Sequence, residues 1–224
     1  MKTFFKVVLF VFVAAFYSCG KDEVSSASSS ITSAGVISGT ISNYSTTKVS
    51  SIIFDDKHTC EVSSEGKFTC NLGTPELSEL SDLSELSTLG LEISDPKVMV
   101  RFLDYVTSFN GNPVDLMKSN ITKNMTQGVG AAYSTFIYCD RDITIKGNKD
   151  GYVYGLGVKM TYDVKLKKGW TEMVGTIEKV SVTTGEVTLK VSNTIPSDLK
   201  WVAETADAPE TASKIKMIKS LLKK

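Results

Sequence analysis

Histidine is nearly absent: His58 is the one imidazole in 224 residues. That excludes HExxH zinc centres and any site built on several histidines. The G-x-S-x-G elbow, the Walker loop and the dinucleotide fingerprint are missing as well, so acyl-transfer and nucleotide chemistry have no recognisable foothold. Charge of one sign is also lacking, since 25 basic residues face 25 acidic ones. No basic footprint for nucleic acid is visible, and no nucleic-acid partner is expected. The apolar run from Val7 to Phe16 is too short to cross a bilayer as a stable helix.

What the N-terminus does contain is a processing signal. MKTFFKVVLFVFVAAFYSCG joins Lys2 and Lys6 to that apolar run and ends in Ser18, Cys19 and Gly20, the layout of a secretory leader. The junction resembles the lipobox of bacterial lipoproteins. The resemblance implies cleavage before Cys19 and acylation of its thiol and new amino terminus. One acyl chain holds a protein at a membrane only marginally, whereas two or three anchor it durably. Gly20, Lys21, Asp22 and Glu23 resemble the charged signal that directs Bacteroidota lipoproteins to the outer face of the outer membrane. Val24 to Ser33 (VSSASSSITS) is Ser-rich without apolar period and reads as a tether. The expected organisation is therefore 1–18 leader, 19–34 lipidated cysteine and tether, 35–95 an N-terminal β region, 96–204 a C-terminal β region and 205–224 a helical tail.

Cysteine is scarce too: Cys19, Cys60, Cys70 and Cys139. Secretion places them where disulfides persist. HTCEVSSEGKFTC reads as a β-hairpin around Ser64-Glu65-Gly66 with Gly66 left-handed. Counting outward, Ser63 faces Lys67, Val62 faces Phe68, Glu61 faces Thr69 and Cys60 faces Cys70, a pair that accommodates a cross-strand disulfide. The alternative is two buried thiols packing beside Val62 and Phe68. Cys139, in STFIYCDRD, reads as a buried small residue without the cationic setting that a reactive thiol needs.

From Gly35 onward the apolar period is two, the signature of half-buried strands. Strands are expected at Gly35 to Ser42, Val49 to Phe54, Thr59 to Ser63, Lys67 to Leu72, Val98 to Val106, Ala131 to Tyr138, Asp142 to Lys146, Tyr152 to Leu166, Met173 to Val182, Glu186 to Ser192 and Leu199 to Val202. Tyr152 to Leu166 exceeds an ordinary strand, so a bend or change of partner is expected near Gly155 and Gly157. Thr183-Thr184-Gly185 reads as a hairpin turn, and so does Gly147-Asn148-Lys149-Asp150-Gly151. In Glu76 to Leu89 leucine recurs every third residue, which fits a short helical or 3₁₀ crossover with only two or three leucines facing the core. Pro209 to Lys224 reads as a short amphipathic helix ending in lysines.

The pattern GxIxGxI with the SxGKF hairpin, over roughly residues 35 to 100, resembles the carboxypeptidase regulatory-like, or transthyretin-like, β-sandwich modules of Bacteroidota lipoproteins. YCDRDITIKG and YDVKLKKGW are similar to small lipoproteins of the same group. The fold expected is all-β, antiparallel and β-sandwich-like, in two packed parts, with a short crossover helix and a C-terminal helix.

The best polar cluster is Asp140-Arg141-Asp142. Strand alternation would set both aspartates on one face and Arg141 on the other, and a structural turn is the expected role. His58, in FDDKH, is expected in a polar loop. The chain is thus read as a surface lipoprotein of the outer membrane, not an enzyme, held by lipid through Cys19, with a binding or structural role and no cofactor or metal. One alternative is a carrier enclosing a lipid or small apolar ligand near Tyr154, Met160 and Tyr162. A second is a hydrolase pairing Asp140 with another carboxylate across a groove.

Overall fold

The computed structural model describes residues 31–84, 90–103, 106–109, 113–120, 129–153, 156–181, 183–184 and 186–204. The expected leader, Cys19, most of the expected tether and the expected C-terminal helix lie outside them. Over the described residues the chain is essentially all-β and largely antiparallel, as its period-two patterning predicts.

Strand β1 (Val36–Thr40) pairs with β4 (Lys67–Asn71) as a two-stranded ribbon. Between them lie a one-turn helix, α1 (Tyr44–Thr47), and the hairpin of β2 (Ser51–Phe54) and β3 (His58–Glu61). Near its turn the β3–β4 connection has the expected register. Ser63 N–H donates to Lys67 O at 2.8 Å, Val62 lies opposite Phe68, and Gly66 is left-handed at φ 77°. Beyond Val62 the two strands part, and the ladder expected for Glu61–Thr69 and Cys60–Cys70 does not form. Each strand finds a neighbour elsewhere, β3 on β2 and β4 on β1, so each is paired along one edge.

The later strands are β5 (Ser81–Asp82), β6 (Glu92–Ile93), β7 (Met99–Phe102), β8 (Val106–Phe109), β9 (Pro113–Ser119), β10 (Ala132–Cys139), β11 (Ile143–Val153), β12 (Leu156–Leu166), β13 (Gly169–Val180), β14 (Val187–Ser192) and β15 (Lys200–Glu204). They join β2 and β3 in one large curled sheet, ordered β3-β2-β8-β9-β10-β13-β14-β12-β11-β6. β15 lies on β9, β7 on β10, and β5 on β7. β10 is the branch point: one edge follows β13 along its length, while Tyr133 pairs with Ser119 of β9 and Ile137 to Cys139 pair with β7. β12 and β13 are joined by a short turn but splay apart, and β14 fills the gap, antiparallel to β13 and parallel to β12. Asn193 closes the vertex, accepting from Lys165 N–H and donating to Glu172 O.

Three expectations are corrected by the strand pairing. Gly147 to Gly151 is not a turn but the middle of β11, paired with Val158 to Tyr162. Tyr152 to Leu166 is not one strand, because Val153 pairs with Leu156 and the chain reverses between them. Val98 to Val106 is likewise divided between β7 and β8. Glycines and an unbroken alternation hide reversals when both arms of a hairpin keep the same period. The crossover is 3₁₀ at Leu77–Glu79. Leu77 is exposed while Leu80 and Leu83 pack inward against different cores; Leu86 and Leu89 lie outside the described residues.

The cores occupy the two faces of β10 and β13. Ile137, Cys139, Met173 and Ile177 face a cluster with Ile145, Met160, Tyr162, Leu166 and Leu189. Their neighbours Phe136, Tyr138 and Trp170 face the other cluster, with Ile37, Ile52, Phe54, Phe68, Leu116 and Trp201. A strand buried on both faces reads as a nearly continuous apolar run, which is why FIYC looks unlike the alternating β12. The division at residue 95 does not separate two cores, because β2 pairs with β8 and β6 with β11 across it.

Candidate functional site

Two buried charged residues and a buried serine form a row across three neighbouring strands. Lys118 of β9, Ser134 of β10 and Glu172 of β13 occupy positions where alternation points the side chain into the core with Leu116, Phe136 and Trp170. Lys118 Nζ donates to Glu172 Oε1 at 2.7 Å, with the two side chains 2% and 4% exposed. Ser134 Oγ donates to the same oxygen. Glu172 Oε2 and the adjacent Ser119 Oγ are buried without a hydrogen-bond partner. Beside the row a cavity of about 20 Å³ is lined by Lys118, Ser134, Phe136, Leu116 and Trp201, room for about one water molecule.

Neither Lys118 nor Glu172 stands out in the sequence as a functional residue. The signal was nevertheless present: VDLMKS and GWTEMV each place a charge in phase with apolar residues, on the face that a strand buries.

Asp140, Arg141 and Asp142 are brought together as a clamp. Arg141 donates to both Asp140 oxygens, at 3.1 and 2.8 Å, and to Asp95 Oδ2 at 2.9 Å. Asp140 also accepts from Met99 N–H at 3.0 Å, fastening the end of β10 to β7. Arg141 does not point away from Asp140, because residues 140–142 form a bend between strands and not an extended segment. Asp142 accepts from Lys167 Nζ at 2.6 Å and Lys168 N–H at 2.8 Å, closing the β12–β13 turn. Hydrogen bonds, from Arg141 to Asp140 and from Lys167 to Asp142, hold both carboxyls below the usual carboxylate range. A glycosidase acid needs the opposite shift. The geometry is that of a structural turn.

A second charged cluster surrounds the β2–β3 turn, where Asp55 and Asp56 are left-handed, at φ 52° and 54°. Arg101 bridges Asp55 at 2.6 Å and Glu79 at 2.9 Å, and Glu79 also accepts from Lys57. Glu79 is held acidic, chiefly by Lys57. The network ties the 3₁₀ crossover to the hairpin and to β7. His58 lies at the start of β3, half-buried, with Nδ1 unpartnered. Among the described residues no group of three or more His, Cys, Asp or Glu side chains converges as a metal centre would.

Cys60 and Cys70 stand at disulfide-bonding distance, with Cα atoms 5.4 Å apart, where β3 and β4 diverge. A bridge there ties the β1–β4 ribbon to the large sheet. Cys139 is fully buried, and burial pushes its thiol up to about 12, with Asp140 and Asp142 adding to the effect. Burial and a raised thiol are the setting of a structural and not a reactive cysteine. Met160 and Tyr162 are buried in a hydrophobic cluster, and the Tyr162 hydroxyl contacts Met160 Sδ at 3.5 Å; the side chain of Tyr154 lies outside the described residues.

The chain matches no protein-family model, no curated protein and no solved structure.

Proposed function

We propose that this protein is a bacterial lipoprotein, carried to the outer membrane, held there by lipid on Cys19 and presented at the cell surface, where its β body serves a non-enzymatic binding or structural role. The observation that carries the reading is the leader and its junction: a basic start, a short apolar run and Ser18-Cys19-Gly20. The stretch between Cys19 and the β body fits a tethered domain. The first described residues, Ile31 to Gly35, are engaged by the fold, with Ile31 opposite Ile37 and Ser33 O accepting from Trp170 N–H. Only residues 20–30 separate them from Cys19, a span of at most about 40 Å when extended.

Two features support a binding or structural role over the alternatives. Among the described residues the perturbed carboxyls Glu65, Glu79, Asp82, Asp140 and Asp142 all shift downward, Asp82 through Ser84 and the others chiefly through cations, which suits hydrogen-bonded anchors and not a general acid. Met160 and Tyr162, near which a carrier would hold its ligand, are buried and in contact with each other through the Tyr162 hydroxyl and Met160 Sδ.

The test is intact-mass spectrometry of the protein extracted from native membranes, with protease shaving of the same cells. A mass beginning at Cys19 plus acyl chains, together with loss of the protein on shaving, is the expected result. An unlipidated mass overturns the anchor, and a lipidated protein protected from protease places it on the periplasmic side.

A further inference from the structure

The Lys118–Glu172 pair is unusual in what it leaves unsatisfied. A carboxylate and an ammonium removed from water are costly unless hydrogen bonds engage their remaining lone pairs and protons. Here both Lys118 and Ser134 donate to Oε1, while Oε2 of the same carboxyl has no partner. Three strands hold Nζ and the carboxyl in one orientation, 2.7 Å apart along the Lys118–Glu172 hydrogen bond. Such fixed proximity gives intramolecular reactions their very high effective concentrations.

We propose that Lys118 and Glu172 form an intramolecular amide cross-link, joining β9 to β13 across β10. Lys118 Nζ gives one proton to Oε1 along their hydrogen bond, which leaves a neutral amine and a carboxylic acid, and attacks Cδ with its lone pair. The Nζ–Cδ bond forms and the Cδ–Oε1 bond breaks. The departing hydroxyl takes a second proton from Nζ, so that one water leaves and one N–H remains on the amide. No oxidant, reductant or further reactant enters.

The surroundings divide the labour between the two oxygens. Ser134 Oγ–H points at Oε1, the oxygen that Lys118 protonates, and its hydrogen bond eases the departure of that oxygen as hydroxyl. Oε2, which has no hydrogen-bond donor, stays on Cδ and becomes the amide carbonyl. The cavity lined by Lys118, Ser134, Phe136 and Trp201 is about the size of the single water released. Burial of Lys118 and Glu172 keeps bulk water from reversing the step. The product replaces two buried charges with a neutral amide and covalently fastens strands distant in sequence, a gain for a protein exposed outside the cell.

The experiment is a reduced tryptic map of the full-length protein purified from its membrane. Cross-linking blocks cleavage after Lys118, so residues 102–123 are expected to emerge as one branched species with residues 169–179, lighter than the two peptides together by one water. Lys118→Met is expected to release 169–179 as a linear peptide. Wild-type protein that yields linear 169–179 together with cleavage after Lys118 overturns the proposal, as does a water loss that persists in the variant. The wild-type map decides even if the variant fails to fold, and its outcome is independent of whether Cys19 is lipidated.

Discussion

At the scale of single residues, the charged groups of this protein fall into two kinds. Asp140, Asp142 and Glu79 sit at junctions and accept hydrogen bonds from cations and backbone N–H groups, which makes them more acidic folded than unfolded. The unfolded chain then binds more protons as pH falls, so their contribution is fully present above the ordinary carboxylate range and is lost as pH drops through it towards their lowered values. The urea midpoint is expected to stay level from pH 7 to about 5 and to decline below about pH 4, with a shallower decline in Asp140→Asn. Equilibrium unfolding followed across that range checks this, and a midpoint that rises on acidification would contradict it. Lys118 and Glu172 are the other kind, charges placed inside. Their spacing was readable, but Asp140-Arg141-Asp142 is the more conspicuous cluster in the sequence and is only a clamp. Density of charge along the chain marks solvated turns, whereas a charge in phase with apolar neighbours marks burial.

Among elements, the β3–β4 connection behaves as a hairpin at its turn and as a fork beyond it. The pair Cys60–Cys70 lies where the arms separate, and a bond there closes a loop of separation 10. Replacing both cysteines by serine is expected to lower stability by about 2 to 3 kcal/mol, measured by urea denaturation against oxidised wild type. An equal loss on reducing the wild type would tie the effect to the bond and not to the substitutions. On β1, Gly39 serves close packing: a Cβ there would fall 2.3 Å from Trp201 Cδ1 and 2.4 Å from Nε1. Gly39→Ala is expected to cost about 1 to 3 kcal/mol through overpacking and to alter the tryptophan near-UV circular dichroism. An unchanged spectrum and melting temperature would mean that the ribbon does not press on Trp201 in solution. Gly39 falls within the GxIxGxI pattern, yet nothing local in the sequence says that the indole of residue 201 requires it to be small.

For the whole molecule, β10 and β13 form a wall with a core on each side, and both cores draw on strands from before and after residue 95. Fragments 31–95 and 96–204 are accordingly expected to be unfolded when made separately. Each would expose the inner face of strands whose cover lies in the other. Proton–nitrogen correlation spectra would test this, and well-dispersed amide signals from either fragment alone would show that it holds an independent core.

The sequence by itself determined the fold class of this protein: the period of two and hence the strands, the left-handed Gly66 turn, the scarcity of histidine and the missing nucleotide-binding loops. These are local properties, set by backbone sterics, alternation and short-range composition. Only the tertiary structure decided which strands pair, that β14 enters between β12 and β13, that β3 and β4 part at Val62, and that a lysine and a glutamate 54 residues apart meet in a dry interior. Pairing is a choice among many edges of similar local propensity. It is settled by which arrangement buries both faces of β10 and β13 at once, a condition that no single segment contains.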